Sequence, residues 1–396
     1  MTGLVRPPQL RTSEARSASR LELFFDLAYI LVVAEMATDL ADDTNGYGLA
    51  QFAGLFALAW TSWVGFTLYA NRFDTDDVVF RVAKLAATGA IAGCAAAASG
   101  ATDQHVTAFT VCFLVSRVIL VGLYARAARH VGQARTTITV YLLAAVVTTL
   151  LWAVSLAVPT PARFWLWAAV VLVDIAAPIV VTHLGDTAPL HSDHLPDRFA
   201  LFVILSIGEL LTAAVGAVHE AEWARPAVLI AGCGFVVAGA LWWCYFDNAS
   251  SADTHELAVD DADADADADE GHDDDQASAR RHDRFVYGHL PLTGGVVAVA
   301  AAIEHLALHP DEPTGTAGLI LCGGLAICFA GLAVVTAGAA RSWTAVWPWP
   351  VAAVPLLLVL AALRGLPALG LIAVVAAYVV VVAAAGTGVR AWRSDR

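Results

Sequence analysis

Apolar side chains fill this chain in blocks of about twenty residues, parted by short polar joints. The blocks lie near residues 21–40, 49–70, 78–99, 105–125, 137–157, 163–183, 198–218, 225–246, 285–306, 316–338, 344–363 and 366–387. A helix rises about 1.5 Å per residue, so about 20 apolar residues span the roughly 30 Å hydrocarbon layer of a bilayer. The pattern predicts an all-α fold: a polytopic transmembrane helical bundle of about twelve helices. The last two blocks are parted only by Arg364 and Gly365. Arg6, Arg11, Arg16 and Arg20 precede the first block in the manner of a signal peptide. That block carries Glu22, Asp26 and Glu35, and no small-residue cleavage site follows it, so it reads as a retained first helix.

Composition agrees with the block pattern. The chain of 396 residues is 59% hydrophobic and 15% charged, against about 45–50% and about 25% for a soluble domain. The formal net charge of -14 is local, because 13 of the 36 acidic residues fall between Asp253 and Asp283. No basic face for nucleic acid remains. The six cysteines all lie in apolar runs and form no C-x-x-C pair, so they read as small buried hydrophobes and not as metal ligands. No cofactor is implied.

Basic residues set the expected orientation. With the N-terminus inside, 18 of the 22 fall in cytoplasmic segments or helix ends. Three (Arg163, Arg225 and Arg364) fall outside, and Arg117 lies within a helix. Both termini are therefore expected in the cytoplasm of a multi-pass cell-membrane protein. The expected organisation is a basic tail over 1–20, a first six-helix repeat over 21–184, a second over 185–246 and 284–387, and a tail over 388–396. Residues 247–283 are expected to form a disordered acidic cytoplasmic insertion, since a run of like charges has nothing to pack. The glycine and terminal glutamate of a calcium-binding EF-hand loop are not at the required offsets there.

A parallel six-plus-six repeat follows from offsets. Arg20, Leu23 and Phe24 match Arg198, Leu201 and Phe202 at 178, and Tyr69–Asn71 meet Phe246–Asn248 at 177. Phe80, Leu85, Thr88 and Gly89 match Phe285, Leu290, Thr293 and Gly294 at 205, the acidic insertion accounting for the difference of 28. Repeats of this kind are common among transport proteins.

Candidate chemistry lies in charges inside the blocks. Glu22 and Asp26 share one face of the first helix, and Glu35 lies on roughly the opposite face, nearer the other end. Arg117, Asp174 and Glu209 fall at mid-helix, and His289 lies a short way into the ninth block. A mid-membrane charge costs at least about 2.5–3.5 kcal/mol unless paired or hydrated, so such residues mark functional sites or neutralise one another in packing. Glu209 is the first expected partner of Arg117 and Asp174 the second. Glu22, Glu304 and His305, near helix ends, suit a solvated interface equally well. His191, Asp193 and His194 could bind a metal, but solvation and capping of the next helix by Asp197 are the stronger reading. No nucleophile–base pair, phosphate-cradling glycine loop or zincin motif appears, so an enzyme ranks last.

The motifs resemble one family. Glu22-Leu23-Phe24-Phe25-Asp26-Leu27 is similar to the opening signature of the low temperature requirement protein A family of bacterial and archaeal membrane proteins. Asn71-Arg72-Phe73-Asp74-Thr75-Asp76-Asp77, Tyr245-Phe246-Asp247 and Tyr287-x-His289 extend the resemblance. So does His194-x-x-Asp197-Arg198-Phe199 with Ile207-Gly208-Glu209, where the family usually has His-x-x-Glu-Arg and Leu-Gly-Glu. The resemblance runs to about residue 310, and the chain departs from it at Asp197 and in the acidic insertion. A weaker likeness is to the six-plus-six potassium channels of lysosomes and bacteria, through Arg20-x-x-x-Phe24-Phe25-Asp26.

The expected function is ion- or proton-linked movement of an ion or small solute, with the lipid bilayer as surroundings. Glu22, Asp26, Glu35, Arg117, Asp174, Arg198, Glu209 and His289 line the pathway. Asp26 and Glu209 act as its acids, Arg117 as counter-charge and His289 as gate or relay. The rival reading is a non-transporting membrane protein needed for growth in the cold.

Overall fold

The structure is a computed structural model that describes residues 6–10, 19–74, 77–183, 195–248, 271–339, 346, 349–353, 355–356 and 366–394. The chain is an all-α, multi-pass membrane protein. Its long helices are α1 (Arg20–Asp42), α2 (Gly46–Arg72), α3 (Val78–Ala96), α4 (Val106–His130), α5 (Arg135–Ser155) and α6 (Arg163–His183). They continue as α7 (Leu195–Glu220), α8 (Arg225–Asn248), α9 (Gly271–Leu308), α10 (Gly315–Ala339) and α11 (Ala368–Ser394). Ten of these are long and apolar enough to cross a membrane. The eleventh, α1, misses that measure because Glu22, Asp26, Glu35 and Asp39 interrupt its apolar run. The expected block at 344–363 lies largely outside the described residues.

One expectation needs correction. Helix reaches into 247–283 from both sides, with α8 ending at Asn248 and α9 starting at Gly271. Gln276, Ala277, Ala279, Arg280 and Arg281 are helix-forming residue types, which suits the helical backbone there. Residues 249–270 lie outside the described residues.

The contacts divide the chain into two compact units. The first comprises Met1–Met36 and Gly54–Arg198, the second Ala37–Ala53 and Phe199–Arg396. In the first, α3 packs on α4, α4 on α5 and α5 on α6, as short connections between antiparallel neighbours require. Trp152, fully buried, stacks on Phe113 at 4.7 Å and meets Trp167 at 5.0 Å, locking α4, α5 and α6 together. Leu143, Leu150, Val154 and Leu172 are exposed on the outer faces of α5 and α6, as lipid-facing positions should be.

In the second unit α9 and α10 form the tightest pair, and they are the most enclosed spans, 78% and 72% buried. Glycine makes this approach feasible. A methyl at Gly331 would lie 2.5 Å from the Leu292 nitrogen, and one at Gly295 2.5 Å from the Gly324 carbonyl oxygen. Membrane helices without a hydrophobic drive to associate use such small residues to bring backbones together. A short two-stranded pairing, β1 (Gln9–Leu10) with β2 (Phe73–Asp74), ties the N-terminal segment to the end of α2.

Candidate functional site

The first unit holds a line of buried polar side chains that begins near the N-terminus of α1. There Ser19 and Glu22 form a reciprocal cap, the Ser19 N–H donating to Glu22 Oε2 and the Glu22 N–H to Ser19 Oγ, each at 3.2 Å. Glu22 is thus held by the helix end it starts. One turn on, Asp26 is 0% exposed. Its Oδ1 accepts from Trp63 Nε1 of α2 and from Arg198 Nη2 of α7, both at 2.7 Å. The Arg198 guanidinium also stands 5.9 Å from the Trp63 ring centre. Asp26 Oδ2 and Arg198 Nε and Nη1 are buried without a hydrogen-bond partner among the described residues. Two fixed donors on one carboxylate oxygen hold the charge while leaving the other oxygen uncommitted.

Lys84 of α3 shares this neighbourhood. It is 1% exposed, and its Nζ lies 3.4 Å from the ring centre of Phe25 and 4.9 Å from that of Phe66. Asp26, Glu22 and Arg198 are the charged groups acting on it. Lys84 does not lie at a helix end. It sits nearly two turns into α3, and Arg72 and Arg198 are also buried.

Further along, Tyr29 Oη and Ser62 Oγ lie 2.8 Å apart in a fully buried hydrogen bond. At mid-helix Arg117 of α4 grips Asp174 of α6 with both terminal nitrogens, Nη1 to Oδ1 at 3.0 Å and Nη2 to Oδ2. This overturns Glu209 as first choice of partner. Depth alone made the two acids equivalent, but α4 and α6 both pack against α5 in the first unit, whereas Glu209 belongs to the second. Glu35 is exposed on α1 and is not gathered with Asp26.

Asp77, just before α3, ties the same end together. It caps α3 by accepting from the Phe80 N–H at 2.9 Å. It also accepts from Arg126 Nη1 at 3.1 Å and Nη2 at 2.6 Å, and from the Arg6 N–H at 3.1 Å. Burial opposes its ionisation, but the bonds from Arg126, Phe80 and Arg6 outweigh it and hold the carboxyl below the usual carboxylate value.

The second unit has its own polar points. His289, buried, donates from Nδ1 to the Phe285 carbonyl at 2.7 Å, and its Nε2 accepts from Tyr245 Oη at 2.9 Å. The rings of Phe199 and Phe285 lie 4.8 Å from its own. Both nitrogens are engaged, so the ring is fixed. Glu209 is buried and acts on Glu304, together with Asp42 and Glu220. His305 Nδ1 donates to the Ala41 carbonyl at 2.7 Å and satisfies an acceptor that the end of α1 leaves open. Among the described residues no group of three His, Cys, Asp or Glu is arranged to hold a metal. His191, Asp193 and His194 lie outside those residues, and Asp197 falls in the first turn of α7. A groove of about 510 Å³ between α8 and α11, lined by Val236, Trp243, Val380 and Thr387 among others, contains none of the expected charges.

Of the expected residues, the structure joins Asp26 with Arg198 and Arg117 with Asp174. It leaves Glu22 in a helix cap and Glu35 apart. Sequence reading missed Trp63, Ser62 and the environment of Lys84. The isolated lysine was the only available signal, since the other 21 of the 22 lysine and arginine residues are arginine.

Comparison with known proteins fits this architecture. The profile of the family described as Bacterial low temperature requirement A protein (LtrA) matches residues 17–384. An uncharacterized protein of Rhizobium meliloti (strain 1021) is 26% identical over 312 residues, which covers 76% of this chain and 72% of that protein.

Proposed function

The chain belongs to the bacterial low temperature requirement A family, and on that premise we propose that it is an ion- or proton-linked membrane transporter or channel. The observation that carries this reading is a pair of buried ion pairs at two depths of the first unit, Asp26–Arg198 and Arg117–Asp174. A bundle that only has to pack needs no charges in lipid, where each is costly, and charged chains across a bundle are what proton and ion paths use. Asp26, with one oxygen uncommitted, is the acid that meets the ion, and Arg198 and Trp63 hold it in place. Tyr29 and Ser62 supply hydroxyls beyond it, and Asp174 with Arg117 forms the mid-membrane barrier. In the second unit Glu209 is the second acid, and His289 with Tyr245 the gate. The end of α1 that carries Arg20 faces the cytoplasm, by the excess of basic residues on that side.

The test is flux in proteoliposomes across protons, alkali cations and common metabolites, with Asp26→Asn as the comparison. A flux that falls at least about tenfold in the folded variant supports the proposal. Absence of flux for every solute overturns it and leaves the factor required in the cold.

A further inference from the structure

Lys84 is the only lysine among the 22 basic residues of the chain. The distinction matters chemically, because an arginine does not give up its proton in a protein, whereas a buried lysine can hold either form. Among its lysine and arginine side chains, the chain thus has one position that can release a proton, and it lies inside the first unit.

The surroundings of that position are unusual for an ammonium. Among the described residues Lys84 Nζ has no hydrogen-bond partner, and it is 3.4 Å from the centre of the Phe25 ring. An ammonium normally makes up to three hydrogen bonds, and here aromatic faces stand in their place. The charged groups facing it are Asp26 and Glu22 of α1 and Arg198 of α7, two of each sign when Lys84 is included. In such a balanced group, a proton gained or lost on Lys84 changes the net charge beside Asp26, whose Oδ2 is also unpartnered.

We propose that Lys84 is the proton-exchanging group of this site. On release an N–H bond breaks, its electron pair stays on Nζ, and the proton passes to a water molecule on the Arg20 side of the membrane. On uptake the same steps reverse. Release leaves Asp26 and Glu22 in excess over Arg198, so the site favours a cation more strongly when Lys84 is neutral. The exchange would couple proton release to cation entry, and this coupling rests on the transport reading above.

A single lysine permits a direct measurement. Full-length protein labelled with ¹³C,¹⁵N-lysine gives one lysine side-chain signal in detergent. The ε-carbon shift reports ammonium or amine. The expected result is passage between the two forms within the pH range where the protein stays folded, with a midpoint that moves in Asp26→Asn or, should that variant misfold, in Glu22→Gln. A signal fixed in either form over that range overturns the inference, whatever the flux. In proteoliposomes Lys84→Arg keeps the charge without the release, and flux driven by a pH gradient should fall at least about tenfold. Unchanged flux in Lys84→Arg also overturns the inference. A titrating lysine without any flux leaves the proton exchange standing and sinks the transport reading instead.

Discussion

At the residue scale the decisive feature is that Asp26, Asp77 and Asp174 of the first unit each have a named cation. Arg117→Ala strands Asp174 in low dielectric, and breaking a buried pair in this way costs about 3–5 kcal/mol. Thermal unfolding in detergent should show that loss, with Arg117→Ala/Asp174→Asn recovering much of it and Arg117→Ala/Glu209→Gln recovering little. Rescue by Glu209→Gln alone would contradict the pairing. The sequence made Arg117, Asp174 and Asp26 legible as candidates because charge inside an apolar block is costly wherever the helix points. It did not make the partners legible. Pairing depends on which helices neighbour each other and which face each presents, and three mid-helix charges at one depth carry neither piece of information. Trp63 was invisible for a related reason, since an indole in an apolar block reads as core until its N–H is seen to reach a carboxylate.

At the element scale, most helix positions were legible to within a few residues from hydropathy alone, α9 being the exception with a start at Gly271 against a block start at 285, while helix ends required hydrogen bonds to interpret. Asp77 is the clearest instance. Its folded carboxyl titrates below its ordinary value of 3.8, so the stabilisation is fully present above that value and is lost as pH falls through the lower folded one. Asp77→Asn keeps a capping oxygen but removes the charge. The difference in Tm between wild type and Asp77→Asn should therefore be largest near about pH 6 and close as pH drops below the carboxylate range. A difference that stays constant into that range would mean that the Arg126 bonds do not discriminate charge. The α9–α10 pair offers a second test. Gly331→Ala places a methyl against the Leu292 backbone and should cost about 1–3 kcal/mol, read as a lower Tm in detergent. Gly323→Ala, with nothing within 4 Å, should be neutral or stabilising through helix propensity. Equal effects at the two positions would argue against the close approach of these helices.

At the scale of the whole molecule, the all-α membrane class followed from composition, because no soluble surface could accommodate so much apolar side chain. The acidic tract was legible only as a break between blocks, and its helical flank at 271–283 was obscured by the charge run before it. Deleting 253–269 should leave insertion and the gel-filtration profile in detergent unchanged, because the tract has almost no apolar residues to pack. An aggregated profile would show that it supports the fold. A reporter inserted within 253–269, or fused after residue 396, should read as cytoplasmic, and an external reading from either would reverse the proposed orientation. The central claim is that the buried charges of the first unit carry ions, and flux across a sealed bilayer tests it most directly. Proteoliposomes with a pH-sensitive dye inside should respond to an imposed cation gradient with wild-type protein and respond at least about tenfold less with Asp26→Asn of equal Tm and equal reconstitution. Equal flux from the two proteins would contradict the account.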